Sequence, residues 1–418
     1  MTTPPVSLLY TEVEEELRAA VRSLLADTCP HSAVLARIES ATPYDGDLWK
    51  ALARDIGAAG LLVPEELGGA GASAREAAVV LEELGRAVAP VPFLTSAVLA
   101  TRALLAARTA GGGEVADDLL ERLASGEITA ALAVSFAASP YRPAGGEVTF
   151  EPGDGSDGGG SDGGGSDGGG EVVVSGRVTG VAGADVADVL LVHARVPGMD
   201  ASALIAVGTR EQGVQITPVT SLDLTRPVAM VSLGSARGRV VARGEGPDGA
   251  DLVASIVRDA LAFGAGLLAS EQLGLAEWCL TATVEYVKER KQFARPVGSF
   301  QALKHRLADL WLEIGGARAA ARNAAGALAA GDLPGGASGA SVAVAVAQAH
   351  CGDVAVHAAE ECVQLHGGIG MTWEHPAHLY LKRAKADQIA FGAPGEHRNA
   401  LARLVDVPAP LGEPISRT

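Results

Sequence analysis

Residues 362–398 read CVQLHGGIGMTWEHPAHLYLKRAKADQIAFGAPGEHR, and the punctuation of this stretch decides the fold. A helical pattern over 338–363 runs into it, three glycines follow at 367, 368 and 370, and a second helical pattern covers 376–404. One glycine suits a helix C-cap, but three within four positions exceed what a cap requires. They make a turn that a ligand can approach closely, with the Gln364 amide beside it. Glycines at 392 and 395 punctuate the second pattern.

Reading back toward the N-terminus, 300–330 and 251–290 repeat the helical periodicity, with a Gly/Pro break at 331–338. Between those two helices lies YVKERKQFARPVGSFQALKHRLADL (286–310). A basic run is normally a solvated face. Here Arg290, Lys291, Arg295, Lys304, His305 and Arg306 surround Phe293, Phe300 and Gln301 in a chain that is otherwise acidic. Local positive charge beside aromatic and amide groups suits a phosphate-bearing cofactor with a stackable ring.

Before Asp251 the texture is different. Short Val-rich segments such as ITAALAVSF, EVTFE, EVVVSGRVTGVAG, DVLLVHARV and SALIAVG are divided by Gly, Pro and Asp, which predicts a β domain over roughly 126–245. Within it, SDGGG occurs three times from Ser156; such a run buries no apolar surface and predicts a mobile surface loop over 153–170. Helical periodicity returns in the first 125 residues, broken by LLVPEELGGAGAS at 61–73. The architecture read from the chain is multi-domain α and β: an all-α domain over 1–125, a β domain over 126–247 and an α-helical domain over 248–418.

Composition narrows the function classes. Of the 418 residues 48% are apolar and 20% charged, a globular balance. A formal net charge of −17 repels phosphate backbones and anionic lipid, so nucleic-acid and peripheral membrane partners are disfavoured. Cys29, Cys279, Cys351 and Cys362 form no CxxC pair and read as reduced thiols. With neither a signal-peptide pattern nor 18 consecutive apolar residues, a cytoplasmic location is the expectation. His305, His366, His375, His378 and His397 lack carboxylates at ligand spacing, so no metal is expected. Ser135 and Ser139 sit in no G-x-S-x-G elbow, which argues against an acyl-hydrolase.

The two C-terminal segments together resemble the acyl-CoA dehydrogenase family, in which R-x-x-F and Q-x-x-G-G-x-G elements hold FAD. Upstream, LLVPEELGGAGAS, VLEELGRAVAPVPF and VTGVAGADVADVLLVHA are similar to the family's N-terminal and β domains. The resemblance implies an N-terminal helical domain, a middle β-barrel or sandwich and a C-terminal four-helix bundle. It further implies that Arg290, Gln292 and Phe293, with Gln301 alongside, contact the pyrophosphate and adenine side of an FAD held largely by a neighbouring subunit. Gln364, Gly367 and Gly368 would approach its adenosine portion. The plainer reading of Arg290 is a surface ion pair with a residue such as Glu289.

The family oxidises an acyl-CoA thioester to the α,β-enoyl-CoA: a Glu removes the α-proton while hydride leaves for the flavin. By the resemblance, one usual position of that Glu is Phe391 here, just before Gly392, and the other is Gly264. Neither side chain accepts a proton. The Arg that often binds substrate is matched by Ala265, and of an acidic run in the β domain only Ser139 survives in AVSFAASP (133–140). The chain thus resembles the non-catalytic subunit of actinobacterial heterotetrameric acyl-CoA dehydrogenases, some of which act on steroid side-chain thioesters. Implied partners are an acyl-CoA, a paralogous subunit and an electron-transfer flavoprotein. Two rivals stay open. One is an active homotetramer with a relocated base, Glu271 or Glu396, although Glu271 suits helix packing and Glu396 an ion pair with Arg398 or a helix end. The other is a flavin-free scaffold subunit that binds acyl-CoA or only stabilises a partner.

Overall fold

The computed structural model describes residues 7–142, 148–152, 170–331 and 339–407. The SDGGG repeat lies outside them, so the loop expected there has no structural counterpart to compare.

Among the described residues six α-helices come first: α1 (Glu12–Thr28), α2 (His31–Ile38), α3 (Gly46–Lys50), α4 (Ala74–Ala87), α5 (Thr101–Thr109) and α6 (Gly113–Ala124). Local chemistry explains where two of them start. Thr11 and Glu14 form a capping box on α1, and Ser73 and Glu76 form one on α4, satisfying amides that the first turn leaves without partners. The turn segment 61–73 lies between α3 and α4.

Among the described residues seven strands follow: β1 (Ala130–Leu132), β2 (Thr149–Pro152), β3 (Glu171–Ala182), β4 (Val189–Arg195), β5 (Ala201–Gly208), β6 (Val214–Val219) and β7 (Val228–Glu245). They lie in the order β1-β4-β2-β3-β7-β5, with β6 on β7, and β5 also pairs with β4. That last pairing curls the sheet into a ring. Inside it, Val148, Phe150, Val174, Val192, Ile205 and Val231 make a core separate from the larger helical one.

From Gly246 the chain is helical again. α7 (Gly246–Glu289), α8 (Gln301–Ala329), α9 (Gly339–His366), α10 (Ala377–Ile389) and α11 (Pro394–Leu404) form the C-terminal bundle, and a two-stranded hairpin of β8 (Lys291–Gln292) and β9 (Arg295–Pro296) projects between α7 and α8. The single helical stretch expected over 376–404 is in fact two, because Phe391 and Gly392 adopt positive φ (53° and 97°) and turn the backbone. α7 and α9 contain segments long and apolar enough to cross a membrane, yet most of each is buried inside the bundle, which marks them as core helices.

The N-terminal domain docks on this bundle through bare backbone. A Cβ placed on Gly85 of α4 would lie 2.2 Å from the Glu271 carbonyl oxygen, and one on Gly274 of α7 would lie 2.0 Å from that of Glu82. Only glycine allows two helices to cross so closely.

Candidate functional site

Gly264 and Phe391 are 127 positions apart in the chain and meet in space. A Cβ added to Gly264 would lie 3.5 Å from Phe391 Cε2 and 2.4 Å from Leu99 Cδ2. The two positions that the resemblance singles out for a base therefore share one pocket, and apolar side chains fill it. The Phe391 ring is wholly buried and meets Phe136 edge-on, with centroids 5.2 Å apart.

Backbone hydrogen bonds close the same place. The Phe136 N–H donates to the Gly180 carbonyl of β3 at 2.8 Å, and the Phe391 N–H donates to the Phe136 carbonyl at 3.0 Å. Residue 136 thus ties the middle domain to the turn after α10. The Arg226 guanidinium lies over the Phe136 ring, 5.4 Å from its centroid. Ala265 offers no substrate-binding group; its buried carbonyl accepts a hydrogen bond from Gln348 Nε2 at 2.5 Å.

Both relocated-base candidates are paired with arginines, although Glu396 Oε2 lies only 3.1 Å from where a Cβ on Gly392 would stand. Glu271 is 1% exposed and accepts from Arg226 Nη2 at 2.6 Å and from Arg383 Nη1 at 2.5 Å. Burial alone would raise its carboxyl, but the Arg226 and Arg383 guanidiniums outweigh that and hold it below the usual carboxylate value. A general base needs the opposite tuning. The expectation that Glu271 serves helix packing is thus refined: it is the hub of a buried charge network. Arg383 also donates to Asp223 at 2.6 Å and to Thr225 Oγ1 at 2.6 Å, and Arg226 donates to Asp387 at 2.6 Å. Glu396 stands in the first turn of α11, as expected, but its ion pair is with Arg142. The suggested partner, Arg398, instead meets Asp353 at 3.1 Å.

The residues implied in cofactor contact lie at the other end of α7. Arg290 caps that helix, is exposed, and has no ion-pair partner among the described residues, Glu289 included. In the hairpin that follows, Phe293 and Ala294 both have positive φ (51° and 61°), and Phe293 is 86% exposed. A bulky residue held left-handed at a solvent-facing tip costs about 1–2 kcal/mol, against which its ring makes an edge-on contact with Phe300, centroids 6.0 Å apart. Beside it the Arg295 guanidinium stacks on Phe300 at 3.9 Å. Gln292 and Gln301 are exposed, and Gln292 Nε2 donates only to the adjacent Lys291 carbonyl at 3.0 Å.

Gln364, Gly367 and Gly368 are exposed at the end of α9. The two elements are neighbours, because Tyr286 of α7 stacks on buried His366 with centroids 4.4 Å apart. Gly370 is required by its own chain, since a Cβ there would meet the Val363 carbonyl oxygen at 2.6 Å; a Cβ on Gly368 would meet nothing within 4 Å. No described part of this chain demands glycine at 368. The basic run is less free than it reads, as Arg306 is paired bidentately with Glu361. No group of three His, Cys, Asp or Glu residues able to hold a metal occurs among the described residues.

The chain thus presents two different settings. The exposed hairpin and glycine turn offer cation, amide, aromatic edge and bare backbone. Between the middle domain and the bundle, Phe136 packs on Phe391 and Leu99 lies against Gly264.

Sequence and structure comparisons identify the family. Residues 11–127 match the acyl-CoA dehydrogenase N-terminal domain and residues 254–405 the acyl-CoA dehydrogenase C-terminal domain. The chain is 35% identical to acyl-CoA dehydrogenase IpdE2 of Mycobacterium tuberculosis over 402 residues, covering 96% of this chain and 97% of that protein. It is 33% identical to IpdE2 of Mycolicibacterium smegmatis over 391 residues, covering 94% and 98%. Among solved structures it is similar to the ChsE4-ChsE5 complex from Mycobacterium tuberculosis, with a TM-score of 0.78 at 27% identity over 96% of this chain and 100% of that one. By sequence along nearly its whole length and by fold, the chain belongs to the acyl-CoA dehydrogenase family of FAD-dependent oxidoreductases.

Proposed function

We propose that this chain is the base-less subunit of a hetero-oligomeric acyl-CoA dehydrogenase, lending Arg290, Phe293 and Gln364 to a flavin whose substrate pocket and Glu come from a paralogous partner. The observation that carries the proposal is the packing at Gly264 and Phe391: neither of these two residues carries a side chain that accepts a proton, Leu99 lies against Gly264 and Phe136 against Phe391. FAD, when bound, supplies the hydride acceptor for the β-hydrogen of the thioester. This chain's part is to bind and position. Arg290 offers charge-assisted donors to a pyrophosphate, Phe293 an aromatic edge, and Gly367 and Gly368 a backbone that adenosine can approach.

The α-proton must go to the partner's carboxylate. A phenyl ring cannot receive it, and Glu271 is held ionised and surrounded by guanidiniums. A steroid or lipid acyl-CoA as substrate, an electron-transfer flavoprotein as oxidant and a cytoplasmic setting complete the reading. The test is purification of the chain alone and with a paralogous dehydrogenase subunit. The complex should be yellow and bleach with acyl-CoA, and R290A should lower its flavin content. Turnover by the chain alone, abolished by mutating one of its own glutamates, would refute the proposal. A complex whose flavin content is indifferent to R290A would favour the scaffold reading.

A further inference from the structure

The charge network beside the sealed cleft contains one carboxylate too many. Arg226 and Arg383 face Asp223, Glu271 and Asp387, and every one of the five is almost completely buried. If all were ionised, a dry joint would contain two positive and three negative charges. An uncompensated charge in such a place is strongly disfavoured. The hydrogen bonding shows where the imbalance falls. Glu271 accepts from both arginines, and Asp223 accepts from Arg383 and from Thr225. Asp387 accepts only through Oδ1, from Arg226, and its buried Oδ2 has no partner among the described residues. Close by, Gln272 donates to the Asp387 carbonyl at 3.1 Å, and its own Oε1 is also buried without a partner.

We propose that Asp387 is a proton-binding site, and that the proton on its Oδ2 neutralises the joint through which the middle domain closes on the C-terminal bundle. With that proton the network holds two positive and two negative charges, and Oδ2 becomes a donor in a region short of donors. Burial, then the Glu271 charge, push the Asp387 carboxyl well above its ordinary value, against the pull of Arg226 and Arg383. The charged groups that act on Asp387 come from three elements. The segment between β6 and β7 supplies Asp223 and Arg226, α7 supplies Glu271, and α10 supplies Arg383 one turn back. Ahead of α3, the Tyr44 hydroxyl is pushed up by burial and stays neutral. Because α10 leads directly into Phe391, this joint also anchors the plug of the cleft.

The sign of the linkage is definite. Above an unfolded value of about 4 the unfolded chain has released this proton and the folded chain has not, so stability falls as pH rises toward the folded value. D387N carries a permanently neutral, isosteric amide and escapes that loss. The experiment compares full-length native chain, D387N and E271Q by thermal unfolding between pH 5 and 8, together with deuterium-difference infrared spectra of native and D387N. The expected result is a D387N folding equilibrium that gains on the native one by about tenfold per pH unit. The carbonyl stretch of a protonated carboxyl should be present in the native spectrum and reduced in D387N. A pH-independent difference, an unchanged band, or a D387N protein that melts as early as E271Q or fails to fold would overturn the proposal.

Discussion

Replacing Phe391 tests most directly whether the cleft is closed by packing. The ring is wholly buried against Phe136 and next to Gly264, so Phe391→Ala removes it from a filled site and should cost about 3–5 kcal/mol. Position 391 also has φ 53°, where a side chain costs about 1–2 kcal/mol. Phe391→Gly loses the same ring but relieves that strain, offset by roughly 0.5–1 kcal/mol of extra freedom in the unfolded chain. The glycine variant should therefore match the alanine variant in stability or exceed it by up to about 1.5 kcal/mol. Urea unfolding followed through the four tryptophans measures both, read as midpoints because a multi-domain chain need not unfold in one step. A loss below about 1 kcal/mol in both variants would mean that the ring fills nothing, and the argument for a sealed pocket would fail with it.

Phe293→Ala, at an exposed hairpin tip, should leave the thermal midpoint of the chain unchanged while weakening flavin retention in the complex several-fold, read by the ratio of flavin to protein absorbance. Glu271→Gln breaks a buried ion network and should cost about 3–5 kcal/mol at neutral pH. Because the folded carboxyl of Glu271 lies below its unfolded value of about 4.3, that stabilisation is present above this pH and is lost as the pH falls through the folded value. The E271Q penalty should accordingly shrink in acid, checked by unfolding at pH 7 and near pH 3. All four cysteines are buried, and burial pushes Cys29 and Cys351 up to about 12. A thiol reagent should find none of them in the native protein and four after denaturation.

The alternation of helix-rich and Val-rich texture was enough to read the helix, strand, helix order, because periodicity is local. The convergence of Gly264 and Phe391 was legible only through resemblance, since nothing in either neighbourhood marks the other. The charge network escaped sequence reading for a physical reason. Arg226, Glu271 and Arg383 are separated by 45 and 112 positions, and each alone resembles an ordinary surface charge. The DLTR run at 223–226 is the one local sign, a cluster of polar residues beside a strand. Glu396 shows the converse error: Arg398 is two residues away and was the obvious partner, but side chains two apart on a helix do not face each other. Phe136 had no signal at all, because its role rests on backbone bonds to residues 180 and 391.

The glycine crossing of α4 and α7 has a mechanical consequence. Helices whose main chains touch cannot slide past one another, so relative motion of the N-terminal domain and the bundle must be a swivel about Gly85 and Gly274. Gly264 lies ten residues along α7 from that fulcrum, roughly 15 Å at 1.5 Å per residue. A tilt of about 5° would then carry Leu99 only about 1.3 Å from its seat over Gly264. Small rocking at the hinge point is thus converted into the difference between a shut and a loosened pocket, with no side chain at the fulcrum to cushion it.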